Sequence, residues 1–507
     1  MRNKALLYKL LFIFSLALLF SSGHIENVDT HLRLTQARFF VENGSIEIKK
    51  GFGEASHGNL ALNKSGKKFS VYNPGQILVF IPIYYLTHIF EKDTGDAYYT
   101  SAFISSFLGY LIFGIIIVLF WKFGEHLNIF EKKRFLITIL FAFTSYCFAH
   151  AQDSYEHIYE ALFLFLTVLL LLPKTISKKM VLLAAISLGF GLLFRTSIIL
   201  AIPGILLLFN KRYYIILFLS SLLPFFLILL YYNYARFSDP FENGYAIAWL
   251  NAFGKTPENS FNLRYIPKNI TGLLFSTGKG LLLFSPSLIL IFWSLKHFWK
   301  SQLRLFASIA LICIVYITFY AANFAWHGSA WNWGPRYIIP IVPLLYLALF
   351  YIPTSKKKLI IAIGIISFVV QIIAITTFYK RNLIEVQMQE GDIFWKDQYF
   401  FSPKYSPIKG QVISFIEVTR SMGSSEPKEL FLPGGPWRNE NRPASQQTML
   451  KNSIDLSVYN FWWVRMLYIT KKWWVILLTL TIATGTMITL INLIILLWNQ
   501  IKKNEIG

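Results

Sequence analysis

Acidic residues and cysteines are scarce in this sequence of 507 residues. Only 26 residues are Asp or Glu, against 48 that are Lys or Arg, and charged residues make up 15% of the chain. A soluble domain carries about 25% charged residues, so this composition excludes an ordinary soluble globular protein. The two cysteines, Cys147 and Cys313, both lie inside apolar runs, which excludes a disulfide framework and a cysteine-based metal site.

Charge is missing altogether from several long stretches. Residues 103–121, 280–295 and 475–498 contain no Asp, Glu, Lys or Arg, and hydrophobic residues make up 55% of the chain. The last stretch has roughly the length that crosses a bilayer. These runs predict a polytopic membrane protein.

The net charge of +22 is carried largely by short basic loops between apolar segments. That distribution is typical of cytoplasmic loops of membrane proteins. No basic helix or RNA-binding motif accompanies the charge, which argues against nucleic acid as a partner. No internal repeat or low-complexity tract is evident, and Gly278-Lys279-Gly280 is too short for a phosphate-binding loop.

Apolar runs bounded by charge predict an all-α bundle of about 12 transmembrane helices. The first could instead be a cleaved signal peptide, because a basic start precedes its apolar middle; in either case the chain would start in the cytoplasm. The predicted crossings are residues 5–22, 100–121, 134–150, 157–172, 180–194, 197–209, 213–232, 280–298, 303–323, 337–352, 358–378 and 473–497.

A short apolar segment, residues 76–90, decides the predicted topology. If it lies along or dips into the outer interface without crossing, the basic clusters at 132–134, 174–179, 211–212, 296–304, 356–358 and 502–503 all become cytoplasmic. If it crosses, all six clusters are inverted. The non-crossing arrangement is therefore predicted, with Lys471-Lys472 as an exception outside.

This topology gives three regions. Residues 1–378 form a transmembrane module, residues 379–472 a hydrophilic region outside, and residues 473–507 a final transmembrane helix with a cytoplasmic tail. The tryptophan pairs at 462–463 and 473–474 flank the return to the bilayer, as interfacial aromatic residues do.

Candidate functional residues gather on the outer side. Asp29 follows the first helix and opens a predicted amphipathic helix; its carboxylate could act as general base toward a hydroxyl, or coordinate a divalent cation. The alternative is a routine helix N-cap. Lys67 and Lys68 precede a turn and an interfacial helix, where an ammonium could reach an anionic headgroup or simply be solvated.

The short outer loop HAQDSYEHIYE places Asp153, Glu156, His157 and Glu160 at the mouth of the next helix. Glu156 and Glu160 share a helix face by their i,i+4 spacing. His150, Asp153 and His157 are a loosely spaced metal-ligand set. Ionisable residues entering a bilayer are candidates for function, unless they lie in water.

Two arginines stand in apolar surroundings. Arg195 lies in GFGLLFRTSIILAIPG, where it could bind a phosphate, pair with a carboxylate, or snorkel. Arg336 ends a segment rich in aromatic residues that includes His327 and Trp331. That combination suits a sugar or polyprenyl headgroup with its phosphate, although an interfacial aromatic belt has the same composition.

Together these motifs resemble the GT-C superfamily of polyprenyl-phosphate-sugar-dependent glycosyltransferases, particularly bacterial relatives of protein mannosyltransferases and aminoarabinose transferases. The resemblance spans residues 5–350 and does not extend to 379–472. The matching motifs are Asp29 with ARFFVENG downstream, YNPGQ, GLLFRTSIILAIP, YNYARFSDPFENGY, GKGLLLFSPSL and WNWGPRYIIPIVP.

The resemblance implies a GT-C-like fold with interfacial helices in the first outer loop, and inverting sugar transfer. It implies Asp29 as the catalytic base or a cation ligand, although the paired acidic motif is reduced here to Val28-Asp29-Thr30, which weakens a metal role. Lys68, with Lys67 as an alternative, Arg195 and Arg336 would bind the donor phosphate. Asp153, Glu156, His157, His327 and Trp331 are the predicted substrate-binding residues.

The predicted function is thus transfer of a sugar from a polyprenyl-phosphate donor to a lipid, glycan or protein acceptor, on the outer face of a bacterial inner membrane, facing the periplasm. No cofactor is predicted beyond the divalent cation that Asp29 could bind. Two alternatives remain open: a flippase or transporter of a lipid-linked glycan, and an O-antigen polymerase or ligase. Inverted repeats or charges midway through several helices would favour the flippase or transporter. Key arginines in large outer loops would favour the polymerase or ligase.

Overall fold

The computed structural model describes residues 2–48, 59–91, 96–173, 175–254, 260–390, 396–422, 458–470 and 472–503. Nearly all of its regular structure in these ranges is helical. The α-helices are α1 Arg2–Phe20, α2 Val28–Asn43, α3 Gly75–Phe90, α4 Ala97–Ser106, α5 Leu108–His126, α6 Glu131–Thr144, α7 Tyr146–Ala151, α8 Glu156–Leu170, α9 Lys178–Phe194, α10 Ile202–Leu206, α11 Arg212–Phe237, α12 Tyr245–Phe253, α13 Ile266–Phe275, α14 Leu281–Phe284, α15 Ile291–Ser301, α16 Leu303–Ala321, α17 Val342–Leu347, α18 Lys357–Thr376, α19 Lys380–Glu390, α20 Asp397–Phe401, α21 Pro407–Ser421, α22 Trp462–Ile469 and α23 Trp473–Lys503.

Short 3-10 helices interrupt or extend several of these apolar segments. They are Thr196–Ala201, Leu263–Tyr265, Pro286–Leu290, Arg336–Ile341, Ala348–Tyr351, Thr354–Lys356 and Pro403–Tyr405. Proline explains some of the breaks, because it has no amide hydrogen to donate within a helix. The predicted crossing at 280–298, for example, is divided at Ser285-Pro286 into α14, a 3-10 helix and α15.

Within the described ranges, five helices are long and apolar enough to cross a membrane: Ala97–His126, Arg212–Phe237, Leu303–Ala321, Thr354–Thr376 and Trp473–Leu496. The chain is therefore a membrane protein. The prediction of about 12 transmembrane helices is not confirmed, because the remaining predicted crossings correspond to shorter or interrupted helices. Tyr8–Phe20, Gly75–Phe90, Thr196–Leu206 and Arg336–Tyr351 are apolar but shorter.

Helix α3 corresponds to the segment on which the predicted topology depends. At 16 residues it is about 24 Å long, less than the roughly 30 Å hydrocarbon core of a bilayer. One face is buried at Ile77, Phe80 and Tyr84, whereas Leu86 and Phe90 are exposed. The exposed apolar face and the short length of α3 agree with a position along the membrane interface. That position stays a prediction.

The segment between α2 and α3 contains a small hairpin that the sequence patterns do not predict. Strands β1 Leu60–Leu62 and β2 Lys68–Ser70 pair antiparallel, with Leu60 opposite Ser70. Arg236, at the end of α11, is fully buried and donates from Nη1 to the carbonyl of Ser70 at 2.6 Å. The expectation of an all-α chain is confirmed for nearly all of the described structure, and this short hairpin, which Arg236 joins to α11, is an addition to it.

Helix α2 is buried between two groups of apolar residues. Leu34 and Ala37 pack with the buried residues of α3 and α4, while Leu32 packs with those of the hairpin, α11 and α12. Because α2 follows α1 after a short loop, this packing fixes its first turn close to the end of α1.

Residues late in the chain hold the end of α1. The backbone N–H of Trp462 donates to the carbonyl of Ser21 at 2.9 Å, and its indole Nε1 donates to that of Leu18 at 2.6 Å. Asn460 Oδ1 lies 2.9 Å from His24 Nε2. The described part of the 379–472 region also contacts the bundle elsewhere: the carbonyl of Phe400 accepts the N–H of Gly278 at 2.8 Å.

Glycine permits one close backbone approach inside the bundle. A Cβ added at Gly109, in α5, would lie 1.9 Å from the carbonyl oxygen of Ala151 and 3.0 Å from Cα of Ser154. Neither atom belongs to a flexible side chain. The replacement would therefore push α5 away from the loop that follows α7.

We expect Gly109→Ala to lower the apparent melting temperature of the detergent-solubilised protein, since overpacking costs about 1–3 kcal/mol or more. Gly485→Ala is the matched control, because Gly485 lies in α23 and a Cβ added there would meet no atom within 4 Å. Alanine there should leave the melting temperature unchanged or raise it. Equal melting temperatures for both variants would contradict the close approach.

Candidate functional site

Asp29 lies in the first turn of α2 and pairs with Arg336. The helix cap is Asn27, whose Oδ1 accepts the N–H of Thr30 at 2.6 Å. This excludes the capping interpretation of Asp29. Its carboxylate Oδ2 instead lies 3.0 Å from Arg336 Nη1, and both side chains are 14% exposed. Asp29 is thus a largely enclosed carboxylate that a ligand can still reach.

Arg33 follows Asp29 by one helical turn and points to the same side of α2, as the i,i+4 spacing requires. Its Nη2 lies 2.9 Å from Oε1 of Glu156, the first residue of α8. The guanidinium also stacks over the ring of Tyr72, 3.9 Å from its centroid. Both charged side chains are almost fully buried, at 2% and 1% exposed.

Arg195 brings a second guanidinium to Glu156. Its backbone is extended at the end of α9, and Nη1 donates to Glu156 Oε1 at 2.7 Å. Its Nε lies 3.6 Å from Glu160 Oε2. Glu160 also accepts hydrogen bonds at Oε1 from Ser197 at 2.7 Å and Tyr316 at 2.9 Å. In the structure, Arg195 therefore pairs with carboxylates, which was one of the three alternatives for this residue.

These residues form one charge cluster on the side that is predicted to be outside. This outer charge cluster is defined by Asp29, Arg33, Glu156, Glu160, Arg195 and Arg336. Tyrosine rings separate its members: the Arg336 guanidinium lies 5.2 Å from the Tyr337 ring centroid and 5.8 Å from that of Tyr155. Glu156 and Glu160 are buried, whereas Arg195 is 18% exposed. A ligand approaching the cluster therefore meets two guanidinium groups and the Asp29 carboxylate, with the other two carboxylates beneath.

Asp153 holds the loop that leads to Asp29. Its Oδ1 accepts the backbone N–H groups of Glu26 at 2.9 Å and Asn27 at 3.1 Å. Burial, and then the negative charge of Glu26, raises the pKa of Asp153 to about 8. The structure therefore places this predicted substrate-binding residue behind the first turn of α2, where it positions Asn27 and through it Asp29.

The predicted metal ligands are not gathered. Among the described residues, no group of three or more His, Cys, Asp or Glu side chains could hold a metal ion. His150 Nε2 contacts the carbonyl of Trp333, and the fully buried His157 ring lies 3.9 Å from Glu156 through Nδ1. With Asp29 paired to Arg336, the residues present do not fit a divalent-cation site.

His327 and Trp331 lie beside residues outside the charge cluster. The His327 ring stacks on Phe400, with centroids 4.1 Å apart, and is buried. Trp331 lines a narrow cavity with Asp153, Tyr155 and Lys380. This cavity has a volume of about 30 Å³, enough for one or two water molecules. Tyr155 connects this cavity to the cluster, since its ring also faces Arg336.

The lysines before the turn are not joined to the cluster. Within the described residues, no hydrogen bond or ion pair connects the Lys68 side chain to Asp29, Arg195 or Arg336. Lys68 belongs to β2, opposite Leu62. The Nζ of Lys67 lies 4.0 Å from Glu47, with 58% of its side chain exposed. A phosphate-binding role for Lys68 stays a prediction.

The sequence patterns single out Asp29, Glu156, Arg195 and Arg336 but miss Arg33 and Tyr72. The signal for Arg33 was present, because a residue four positions after Asp29 on a helix shares its face. Tyr72, in contrast, reaches the cluster through the hairpin. Burial, and then the nearby Asp29 carboxylate, raises the pKa of Tyr72 well above its usual value.

No protein-family model matches the sequence, and no curated protein matches it. Solved structures that match include ArnT from Cupriavidus metallidurans bound to undecaprenyl phosphate, with 11% identity and a TM-score of 0.44. The match covers 96% of this chain and 76% of that chain. A likeness at this level assigns neither an activity nor site residues to the chain.

Removing one partner of the buried pair between Arg33 and Glu156 should destabilise the folded protein. We expect Arg33→Met to destabilise the folded protein by about 3–5 kcal/mol, because it removes a partner from a buried carboxylate. Arg38→Met is the control on the same helix, since Arg38 pairs with Glu42 at 3.0 Å but is 37% exposed. The Arg38→Met substitution should lower the free energy of unfolding by less than about 1 kcal/mol. Thermal unfolding in detergent measures both, and equal losses would contradict the assignment.

Proposed function

We propose that this membrane protein is a glycosyltransferase that uses a polyprenyl-phosphate-linked sugar as donor. The observation that carries the proposal is the pairing of Asp29 with Arg336, beside the partly exposed Arg195. A carboxylate that can take a proton stands next to guanidinium groups that can bind a phosphate. Sugar transfer from a lipid phosphate needs both groups within one site.

The Asp29–Arg336 pair gives a way to couple donor binding to activation of the base. In the closed pair the Arg336 guanidinium occupies the Asp29 carboxylate, with Nη1 3.0 Å from Oδ2. A donor phosphate bound by Arg336 and Arg195 would draw Arg336 from Asp29. The carboxylate would then be free to accept the proton of an acceptor hydroxyl.

The transfer step follows from these positions. The acceptor hydroxyl oxygen attacks the anomeric carbon of the sugar while its proton passes to the Asp29 carboxylate. The bond between the anomeric carbon and the phosphate oxygen breaks, and its electron pair leaves with the polyprenyl phosphate. Attack opposite the leaving phosphate inverts the anomeric carbon, and Arg195 and Arg336 offset the charge that develops on the phosphate.

The same arrangement favours an enzyme over a flippase or transporter of a lipid-linked glycan. A transporter needs ionisable groups along a path through the bilayer, whereas the charge cluster joins the ends of helices: the start of α2, the start of α8 and the end of α9. With basic loops in the cytoplasm, this end faces the periplasm of a bacterial inner membrane. The acceptor, whether lipid, glycan or protein, would approach from that side.

We expect Asp29→Asn to lower turnover by about 100- to 10,000-fold, the range for loss of a general base. The assay incubates the purified protein with a panel of polyprenyl-phosphate sugars and membrane acceptors, and detects free polyprenyl phosphate by mass spectrometry. Asp239→Asn is the control, because Asp239 is exposed and its carboxylate accepts only a local N–H, that of Phe241 at 2.9 Å. Undiminished turnover in Asp29→Asn would refute the assignment.

The arginines should govern binding of the phosphate rather than proton transfer. We expect Arg195→Gln and Arg336→Gln each to weaken binding of undecaprenyl phosphate by about 10- to 100-fold, the loss of one charge-assisted hydrogen bond. Arg264→Gln is the control, since Arg264 is exposed in the predicted outer loop. Asp29→Asn should retain binding, measured by native mass spectrometry. If neither arginine variant binds more weakly, the phosphate site lies elsewhere.

A further inference from the structure

A second cavity opens between helices at the end of the bundle away from Asp29. It lies between the first part of α1, the second half of α5, the start of α6 and the last part of α23, and has a volume of about 280 Å³. Lys9 lines it, and α1 continues for 11 residues to Phe20, a rise of about 17 Å toward the outer end. The cavity is therefore separate from the outer charge cluster.

The walls of this α1–α6 cavity are apolar, and its charged groups stand together at one side. Phe12, Ile117 and Leu493 contribute hydrocarbon surface. Lys9 and Arg134 contribute positive charge, and Glu125 and Glu131 contribute negative charge. Lys122 also pairs with Glu125, so cations are in excess at this end. Such a division between an apolar body and a charged end with excess cations matches a lipid with a phosphate headgroup.

Arg134 is built into this site rather than extended into solvent. Its guanidinium stacks over the Trp121 ring at 4.3 Å, and its side chain is only 13% exposed. Its aliphatic stem crosses Gly124, where an added Cβ would lie 2.9 Å from the Arg134 Cδ. Packing on two sides thus fixes the guanidinium at the cavity.

The hydrogen-bonding capacity of Arg134 is incompletely used. Its Nε is buried with no hydrogen-bond partner within the described structure. Its Nη2 lies 4.0 Å from both Glu125 and Glu131, beyond hydrogen-bond distance. Glu125 is held instead by Trp121 Nε1 at 2.9 Å and Lys122 Nζ at 3.0 Å.

Lys9 completes the cationic side. It is half-buried in α1, and no hydrogen bond or ion pair joins its Nζ to another residue in the described ranges. A half-buried ammonium and a buried guanidinium nitrogen that both lack a hydrogen-bond partner among the described residues carry a desolvation cost. An anionic group between them would offset that cost.

We propose that the α1–α6 cavity binds a membrane glycerophospholipid, with its phosphodiester between Lys9 and Arg134 and its acyl chains along the apolar walls. The position at the helix ends places the headgroup in the leaflet on the side opposite Asp29. The bound lipid would join α1 and α23 to α5 and α6. It would thereby act as a structural ligand distinct from the polyprenyl-phosphate donor.

The test measures lipid retained by the full-length protein after purification in detergent and re-addition of phosphatidylglycerol, using native mass spectrometry. We expect the double variant Lys9→Gln/Arg134→Gln to retain about tenfold less phosphatidylglycerol than the unaltered protein, since it loses charge-assisted contacts with the phosphate. The double variant Lys178→Gln/Arg212→Gln is the control, because both residues are exposed and neither lines the cavity. It should retain the lipid fully.

A second variant separates loss of lipid from loss of fold. Val118→Trp fills the cavity from α5 while leaving both cations in place, and it should also exclude the lipid. The same retention in the Lys9→Gln/Arg134→Gln variant as in the unaltered protein would overturn the proposal. Stronger binding of undecaprenyl phosphate than of phosphatidylglycerol at this site, abolished by Val118→Trp, would also overturn it, because the occupant would then be the carrier lipid.

Discussion

The ion pairs that Glu156 forms with Arg33 and Arg195 are the interaction on which the rest of the outer site depends. One buried carboxylate, at the start of α8, accepts contacts from α2 and from the end of α9. Burying such a carboxylate is costly unless it is paired and hydrogen-bonded. The three elements must therefore come together in one arrangement, and that arrangement places Asp29, one turn before Arg33, against Arg336.

Two layers of charge follow from this constraint. Glu156 and Glu160 lie beneath and hold the arginines in place, while Arg195, Arg336 and Asp29 remain within reach of a ligand. The lower carboxylates fix the geometry of guanidinium groups that would otherwise be mobile side chains. A phosphate would meet donors that are already oriented, which lowers the entropy that binding must overcome.

Much of the helical organisation could be predicted from the sequence, because uncharged runs and basic loops are strong signals. The number of crossings could not be predicted, because Ser285-Pro286 divides a segment that reads as one continuous apolar run in the sequence.

At the site, residue type singled out Asp29, Glu156, Arg195 and Arg336. The partner of each charge could not be predicted, because Asp29 and Arg336 are 307 positions apart and only tertiary packing brings them together. The position of Lys68 could not be predicted either, because no periodicity in the sequence revealed the hairpin to which it belongs.

The contacts of Trp462 and Asn460 with the end of α1 have a consequence for biosynthesis. A ribosome completes the first outer loop long before it reaches these residues, which are 444 and 436 positions beyond their partners Leu18 and His24. Until they arrive, the carbonyls of Leu18 and Ser21 lack the donors that satisfy them in the finished protein. The site therefore reaches its final form only after the last helices have been inserted, so that a chain released early would carry Asp29 without the support that holds it.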